Sequence, residues 1–195
     1  MVEINAKMIN DLRQRSGAGI MECKKALEEA QGNIEEAIVI LRKRGIINAA
    51  KKAGRETSEG IIQSYIHIGG RIGVLLELNC ETDFAAKNEA FQKLAKDICV
   101  HIAAMSPTYI SAEDIPPEVE EKERSIAAAQ YAGKPANAIE KIISGKLAKW
   151  HSEVCLLEQS FIEDQEISIG EYIAQSIAII GENIKVGRFV RYQIG

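Results

Sequence analysis

The stretch Leu78-Asn79-Cys80-Glu81-Thr82-Asp83-Phe84 joins an apolar pattern of strand type to a helical pattern, and the rest of the chain is organised around it. Its unusual member is Phe84, a large apolar ring that directly follows an acid. Connections usually carry small or polar side chains, and functional residues are often found on them. Two interpretations follow from the pattern: the ring projects toward another molecule, or it folds back over the following helix against Phe91 or Leu94.

The segments on both sides of this stretch predict a hairpin and a helix that covers it. Two runs with apolar residues at alternate positions are separated by Gly69-Gly70, which favours a tight turn and predicts an antiparallel hairpin with one buried face. The positions assigned to that face are Ile62, Ser64, Ile66, Ile68, Ile72, Val74, Leu76, Leu78 and Cys80. Between Asn88 and Met105 a stripe at helical spacing predicts the covering helix, through Phe91, Leu94, Ala95, Ile98, Cys99 and Ile102.

The C-terminal part of the chain predicts a further helix and a third strand. Ser168 and Glu171 form a capping box that opens a helix ending at Gly181. Alternating residues from Ile184 to Ile194 then predict a strand. Two more helices are predicted before the capping box, one from Glu118 and one over residues 139–154. The predicted fold class is α+β, with a three-stranded antiparallel sheet covered by helices.

The first part of the chain predicts a bundle of three helices, each followed by glycine, which tolerates the backbone of a helix end. Their predicted bounds are Ala6–Arg15, Ile20–Ala30 and Asn33–Gly45. Met21 lies among charged residues, where a single exposed apolar side chain needs no special explanation. The core stripe of the second helix is predicted to be Ile20, Cys23, Leu27 and Ala30. We predict a bundle domain over residues 1–54 and an α+β core over residues 55–195.

Composition and charge favour an ordinary globular protein. The 195 residues are 46% hydrophobic and 27% charged, with a net charge of −4. Up to Gly54 there are 10 Lys/Arg against 7 Asp/Glu, and after it 14 against 21, so the basic excess is small for a nucleic-acid binder. No apolar run is long enough to cross a bilayer, and Met1-Val2-Glu3-Ile4-Asn5 does not resemble a secretion signal, so we expect the cytosol.

Motifs for metal binding, phosphate binding and catalysis are not found in the sequence. Four well-separated cysteines without a C-x-x-C pair predict free buried thiols rather than a zinc site. Gly17-Ala18-Gly19 lies between two predicted helices and lacks the strand and the Lys-Ser/Thr ending of a P-loop. Cys80 near Asp83 could form a nucleophile beside an acid, but its position on the buried strand face argues against a catalytic thiol.

Two long segments resemble one protein family. Leu12–Leu27, with the sequence LRQRSGAGIMECKKAL, resembles the first signature of translation elongation factor Ts. Leu78–Asn88, with the sequence LNCETDFAAKN, resembles the second. The resemblance extends through Gly133-Lys134-Pro135 and Ile180–Ile184, and it covers essentially the whole chain. It implies a first module like a ubiquitin-associated domain, an α+β core, and a factor that binds the GTPase elongation factor Tu and speeds the release of GDP.

The resemblance also implies roles for particular residues. In the family, an acid and a phenylalanine of the second signature intrude beside the magnesium site of the GTPase, and here they match Asp83 and Phe84, flanked by Thr82 and Ala85. Ala85 stands where the family commonly has valine. The first signature docks on the nucleotide-binding domain of the GTPase, which implies contacts from Leu12, Arg13, Ile20, Met21 and Lys24. No enzyme activity, cofactor, directly bound nucleotide, nucleic acid or membrane is implied.

Longer family members carry two core modules and an inserted coiled coil, whereas this chain has length for one core module, so we expect a homodimer. One alternative is a small RNA-binding or ribosome-associated module, which would use Lys24, Lys25, Lys51, Lys52 and Arg55. The other is a thiol enzyme built on Cys80.

Overall fold

Two of the first three helices begin after an asparagine whose side chain accepts hydrogen bonds from amides of the first helical turn. A computed structural model describes residues 4–131 and 136–195. Its first elements are α1 (Ala6–Ser16), α2 (Ile20–Glu29) and α3 (Ile34–Lys52). The Asn5 side chain accepts a hydrogen bond from the Met8 amide, and the Asn33 side chain accepts from the amides of Glu35 and Glu36. These bonds satisfy amides that have no partner inside a first helical turn. The predicted helix starts in this region are confirmed.

Two predictions about the bundle are wrong. Gly45 does not close α3, which continues to Lys52. Gly45 lies buried in the middle of α3 and faces the backbone of a later helix, where even an added Cβ would lie at an ordinary contact distance of 3.7 Å from the Ala174 carbonyl oxygen. Ile20 is also not in the core stripe, because it is 53% exposed while Cys23 and Leu27 are fully buried. The division at residue 54 stays a prediction.

The rest of the chain forms one three-stranded sheet, a two-stranded hairpin, five α-helices and two short 3-10 helices within the described residues. In chain order the elements are β1 (Glu59–Ile66), β2 (Ile72–Cys80), α4 (Asp83–Ala86), α5 (Glu89–Met105), α6 (Pro117–Ala129), α7 (Ala136–Val154), β3 (Ser160–Phe161), β4 (Asp164–Ser168), α8 (Ile169–Ile180) and β5 (Ile184–Gln193). The sheet has the order β1-β2-β5 with antiparallel pairing. The predicted α+β class and the three-stranded sheet are confirmed. The short β3–β4 hairpin was not predicted.

The predicted buried face of β1 is wrong. Ile61 pairs with Leu78 and Tyr65 pairs with Val74, so the residues of β1 on the core side are the odd-numbered ones. Ile62 and Ile66 lie on the outer face and are 63% and 66% exposed. Because β1 carries apolar residues at both odd and even positions, only the pairing with β2 decides which set is buried.

A bulge at Gly187 makes a similar change in β5. Glu77 pairs with Arg188 whereas Leu78 pairs with Val186, which leaves Gly187 as the extra residue. Val186 and Phe189 therefore both pack against the core, although the alternation predicted them on opposite faces. Beyond the bulge, Val190 and Tyr192 lie on the outer face of the sheet.

The main core lies between the inner sheet face and the helices α5 and α8. The stripe predicted for α5 is confirmed, since all six of its members are fully buried. Ser168 and Glu171 form the predicted capping box at the start of α8, with bonds of 2.9 and 3.1 Å. Gly181 ends α8 with φ of 89°, a backbone conformation that glycine adopts without strain. This ending directs the chain straight into β5.

α6 and α7 share a small separate apolar cluster formed by Ala127, Ile143 and Leu147. The predicted break at Gly133-Lys134-Pro135 lies outside the described residues. Among the described helices, none is both long and apolar enough to cross a membrane.

Candidate functional site

Phe84 is presented on a single turn of helix between β2 and α5. In α4 the side chains of Ala85 and Ala86 are buried in the main core, at 5% and 7% exposure, and Phe84 is 81% exposed. Of the two interpretations of Phe84, the structure agrees with the one in which the ring projects from the protein. The ring does not pack back over α5, whose Phe91 and Leu94 are fully buried without it.

Thr82 is the N-terminal cap of this turn and is held from another part of the chain. Its hydroxyl accepts a hydrogen bond from the Ala85 amide at 3.3 Å. The Thr82 amide donates to Glu182 Oε2 at 2.9 Å, and the Thr82 hydroxyl donates to Glu182 Oε1 at 2.6 Å. Hydrogen bonds to an ionised carboxylate are stronger than those between neutral groups. The start of α4 is therefore anchored to the connection between α8 and β5.

Glu81 makes a second link to the same connection. Its Oε1 accepts from the Asn183 amide at 2.6 Å and lies 3.3 Å from the Arg55 guanidinium. The bond from Asn183 and the nearby Arg55 charge hold the pKa of the Glu81 carboxyl below its usual value. The side chain of Asn183, which is 2% exposed, donates to the Arg55 carbonyl oxygen at 2.8 Å. The segment that leaves α3 is thus tied to the residues before Phe84.

Asp83 and Lys87 form an exposed pair on either side of Phe84. Lys87 Nζ lies 2.7 Å from Asp83 Oδ2 and 5.9 Å from the centroid of the Phe84 ring. The hydrogen bond from Lys87 lowers the pKa of Asp83, so this carboxyl stays ionised. An exposed ion pair of this kind is weak and exchanges easily with other partners. The Asp83 carboxylate is therefore available to a cation or donor of another molecule.

Cys80 lies beneath this turn and is fully buried. Its thiol donates to the Thr82 carbonyl oxygen at 3.2 Å, and burial raises the pKa of the Cys80 thiol above its usual value. A nucleophilic cysteine needs access and a lowered pKa, and Cys80 has neither. The structure thus contradicts the thiol-enzyme alternative. All four cysteines are free and buried, as predicted.

The residues of the first signature separate into an exposed group and a buried one. Ile20 and Met21, at the start of α2, are 53% and 62% exposed, and Arg13 and Lys24 are also exposed. Leu12 differs, because it is fully buried in the bundle core. The resemblance implied a direct contact from Leu12 with the GTPase. This expectation is wrong, because the Leu12 side chain packs inside the bundle and only its neighbours are at the surface.

Sequence reasoning assigned no role to Glu182, Asn183 or Arg55 at the Phe84 turn. The only available signal was that the second signature and Ile180–Ile184 resemble the same family, although they are about 100 positions apart. Their contact becomes visible only when α8 and β5 are folded against β2. Residues 4–131 and 136–195 contain no group of three or more His, Cys, Asp or Glu arranged to hold a metal ion.

Comparisons with known proteins agree with both signatures. Residues 1–195 match the family described as Elongation factor TS. The chain is 58% identical to the Elongation factor Ts of Thermosipho melanesiensis over 194 residues, which cover 98% of this chain and 99% of the relative. It is 57% identical to that of Fervidobacterium nodosum over all of both chains. The protein of Koribacter versatilis is 56% identical, and the match covers all of this chain and 90% of the relative.

Proposed function

The chain belongs to the elongation factor Ts family, and we propose that it is a guanine nucleotide exchange factor that binds elongation factor Tu in its GDP form and promotes GDP release. The observation that carries the mechanism is the 81% exposure of Phe84 on a turn anchored at Thr82. An exposed aromatic ring on a fixed support is suited to entering a gap in a partner. No covalent step is needed, and a translation factor of this kind works in the cytoplasm.

The proposed mechanism acts on the magnesium site of the GTPase. Magnesium requires nearly ideal octahedral geometry and bridges the phosphates of a bound nucleotide to the protein. A ring inserted beside that site shifts its ligands, and a small shift weakens nucleotide binding strongly. In our proposal Phe84 is the inserted group, the ionised Asp83 supplies the polar contact, and Thr82 and Ala85 support them.

The bundle supplies the second part of the proposed contact. Arg13, Ile20, Met21 and Lys24 are exposed around the α1–α2 connection and are proposed to dock on the nucleotide-binding domain of elongation factor Tu. By thermodynamic linkage, a factor that lowers the affinity of the GTPase for nucleotide loses its own affinity when nucleotide binds. The complex therefore forms and dissociates within one exchange cycle.

The test is the rate of GDP release from elongation factor Tu with Phe84→Ala and Asp83→Ala. Because a central aromatic anchor contributes about 2 kcal/mol or more, Phe84→Ala is expected to lower the stimulated rate about 30-fold. Met105→Ala is the matched control, since Met105 is 45% exposed at the end of α5 and has no proposed contact. Unchanged release with both Phe84→Ala and Asp83→Ala would remove the mechanism.

We further propose that the chain is a homodimer joined through the outer face of its sheet. That face has an apolar row across all three strands, Ile66 beside Gly73 and Tyr192, and next to it the apolar pair Leu75 and Val190, with Ser64 as their neighbour on β1. Tyr192 is 68% exposed, and a Cβ at Gly73 would lie only 3.0 Å from the tip of Ile66, which covers this glycine. Soluble proteins rarely leave such a continuous apolar surface to water. A second sheet packed face to face would bury it.

Sedimentation of the free chain tests this arrangement. Tyr192→Lys places a charge within the apolar face and is expected to shift the chain toward monomer. Lys146→Glu on α7 is the control, because it changes charge outside the sheet. A chain that sediments as a monomer and is fully active in a one-to-one complex with elongation factor Tu would reject the dimer.

The RNA-binding alternative has less support. Lys24 lies 3.8 Å from Glu28, and Lys25 lies 3.3 Å from Glu22. Lys52 donates to the Gly181 carbonyl oxygen, and Arg55 pairs with Glu81. Four of the five basic residues in that hypothesis thus already have acidic or carbonyl partners. Salt-dependent binding of RNA by the whole chain would revive this alternative.

A further inference from the structure

The connection between α8 and β5 contacts three separate parts of the chain. Lys52, the last residue of α3, donates from Nζ to the Gly181 carbonyl oxygen at 2.6 Å. Glu182 accepts both hydrogen bonds from Thr82. Asn183 donates to Glu81 and to the Arg55 carbonyl oxygen. Gly181, Glu182 and Asn183 together therefore join the end of the bundle to the turn that presents Phe84.

The Phe84 turn needs such support because it cannot orient itself. α4 has four residues, and a helix that short is not stable alone. Phe84 is exposed, so its own packing does not fix its direction. The direction depends on the burial of Ala85 and Ala86 at one end of the turn and on the cap at Thr82 at the other.

We propose that Glu182 is a positioning residue for Phe84, acting through the two hydrogen bonds it accepts from Thr82. This inference rests on the proposed function. Because the Thr82 hydroxyl donates its hydrogen to Glu182, its lone pairs remain free to accept the Ala85 amide inside the turn. Glu182 is half-buried, which limits competition from water. One carboxylate thus fixes the Thr82 hydroxyl and the Thr82 backbone, and through the hydroxyl it also fixes the Ala85 amide.

The substitution Glu182→Gln tests this arrangement with little change in volume. A carboxylate accepts at both oxygens, whereas an amide accepts at one and donates at the other. The amide nitrogen of Gln would therefore face either the Thr82 N–H or its hydroxyl. If the Thr82 hydroxyl turns so that it accepts a hydrogen bond from the new amide group of Gln, it has to accept from this amide and from the Ala85 amide at the same time. The cap of the turn then becomes weaker.

Three quantities are measured on Glu182→Gln: the maximal rate of GDP release at saturating factor, the half-saturating concentration, and amide hydrogen exchange of residues 85–87 in the free chain. Loss of one charge-assisted bond is expected to lower the maximal rate about tenfold, with half-saturation changed less than about twofold. Hydrogen exchange of the turn is expected to become faster. Glu140→Gln is the matched control, because its side chain is 76% exposed on α7.

Variants of Thr82 separate a positioning role of Glu182 from a general effect on the stability of the protein. Combining Glu182→Gln with Thr82→Val is expected to cost no more than the worse single change, since both remove the same contact. Should Glu182→Gln fail to fold, Thr82→Ser and Thr82→Val replace it, because serine keeps the hydroxyl that valine lacks. We expect serine to exceed valine in maximal rate by about tenfold. Equal rates for the two would overturn the proposal.

The outcomes also distinguish this inference from the proposed function. If Phe84→Ala and Asp83→Ala both leave GDP release unchanged, the exchange mechanism is wrong, and hydrogen exchange of residues 85–87 still tests whether Glu182 orders the turn. If Phe84→Ala slows release but Glu182→Gln changes neither the maximal rate nor hydrogen exchange, the positioning role alone is rejected.

Discussion

The start of α2 and the Phe84 turn both expose a large apolar side chain, but they hold it in different ways. Met21 lies on a ten-residue helix whose opposite face is packed in the bundle core. Phe84 lies on a four-residue turn that is held largely by the hydrogen bonds that Thr82 donates to Glu182 and by two buried alanines. Apolar packing tolerates small displacements, whereas hydrogen bonds to a carboxylate require defined positions. The first region is suited to binding and the second to placing one group.

The largest expected effect concerns the bundle core. Leu27→Ala removes a fully buried side chain from a core of six buried residues and is expected to cost about 2–5 kcal/mol of unfolding free energy. Denaturant unfolding with hydrogen exchange as a local probe measures it. Val39→Ala, at a site 45% exposed on α3, is the control and should change stability little. A loss of protection in the Phe84 turn equal to that in the bundle would contradict the contrast between the two regions.

The second prediction is an acid sensitivity restricted to the α+β core. His101 is fully buried, and Nε2 lies 2.9 Å from Gln159 Oε1, while Nδ1 has no partner within the described residues. Burial lowers the pKa of His101 below its usual 6.5 although the bond to Gln159 opposes this. Below about pH 6.5 the unfolded chain therefore binds a proton that the folded chain does not, so stability falls as pH falls.

The measurement is unfolding free energy between pH 7.5 and 5.5. The contribution of His101 cannot exceed about 1.4 kcal/mol per pH unit, the limit for one proton. His101→Gln is expected to reduce the slope, and His67→Gln, at an exposed site, is expected to keep it. Residues 4–52 contain no histidine, so a slope of the same size in the bundle would be unexpected.

The third prediction separates binding from exchange. Met21→Ala removes an exposed contact and is expected to raise the half-saturating concentration of the factor about fivefold, or about 1 kcal/mol, with the maximal GDP release rate unchanged. Titration of release rates measures both quantities. Met105→Ala is again the control. A fall in the maximal rate with unchanged half-saturation would exchange the roles assigned to the two regions.

The smallest effect is expected at Lys87. Lys87→Met breaks the exposed pair with Asp83 but keeps an aliphatic chain near the Phe84 ring. Because exposed pairs contribute little, the maximal rate is expected to change by less than about twofold. Release rates at low and high salt measure it. A change as large as that of Phe84→Ala would mean that the ion pair, and not the cap at Thr82, orders the turn.

Much of the fold could be predicted from local chemistry. Asn33 and Ser168 begin α3 and α8, and Gly181 ends α8, each where the pattern placed the boundary. The stripe of α5 was also correct, since its spacing has only one helical face to occupy. The prediction that Gly45 ends its helix was wrong because a glycine inside a helix has the same sequence signature as one that ends a helix.

The sequence by itself determined the α+β class, the three strands of the main sheet, the longer helices and the family, because caps, periodicity and the two signatures are local properties of the chain. The tertiary structure alone decided which face of β1 is buried, that Leu12 is inside the bundle, and that Phe84 projects. Each of these depends on pairing or on contacts between distant residues, such as Thr82 with Glu182. Such contacts form only when β2, α8 and β5 are assembled, so the local sequence pattern does not predict them.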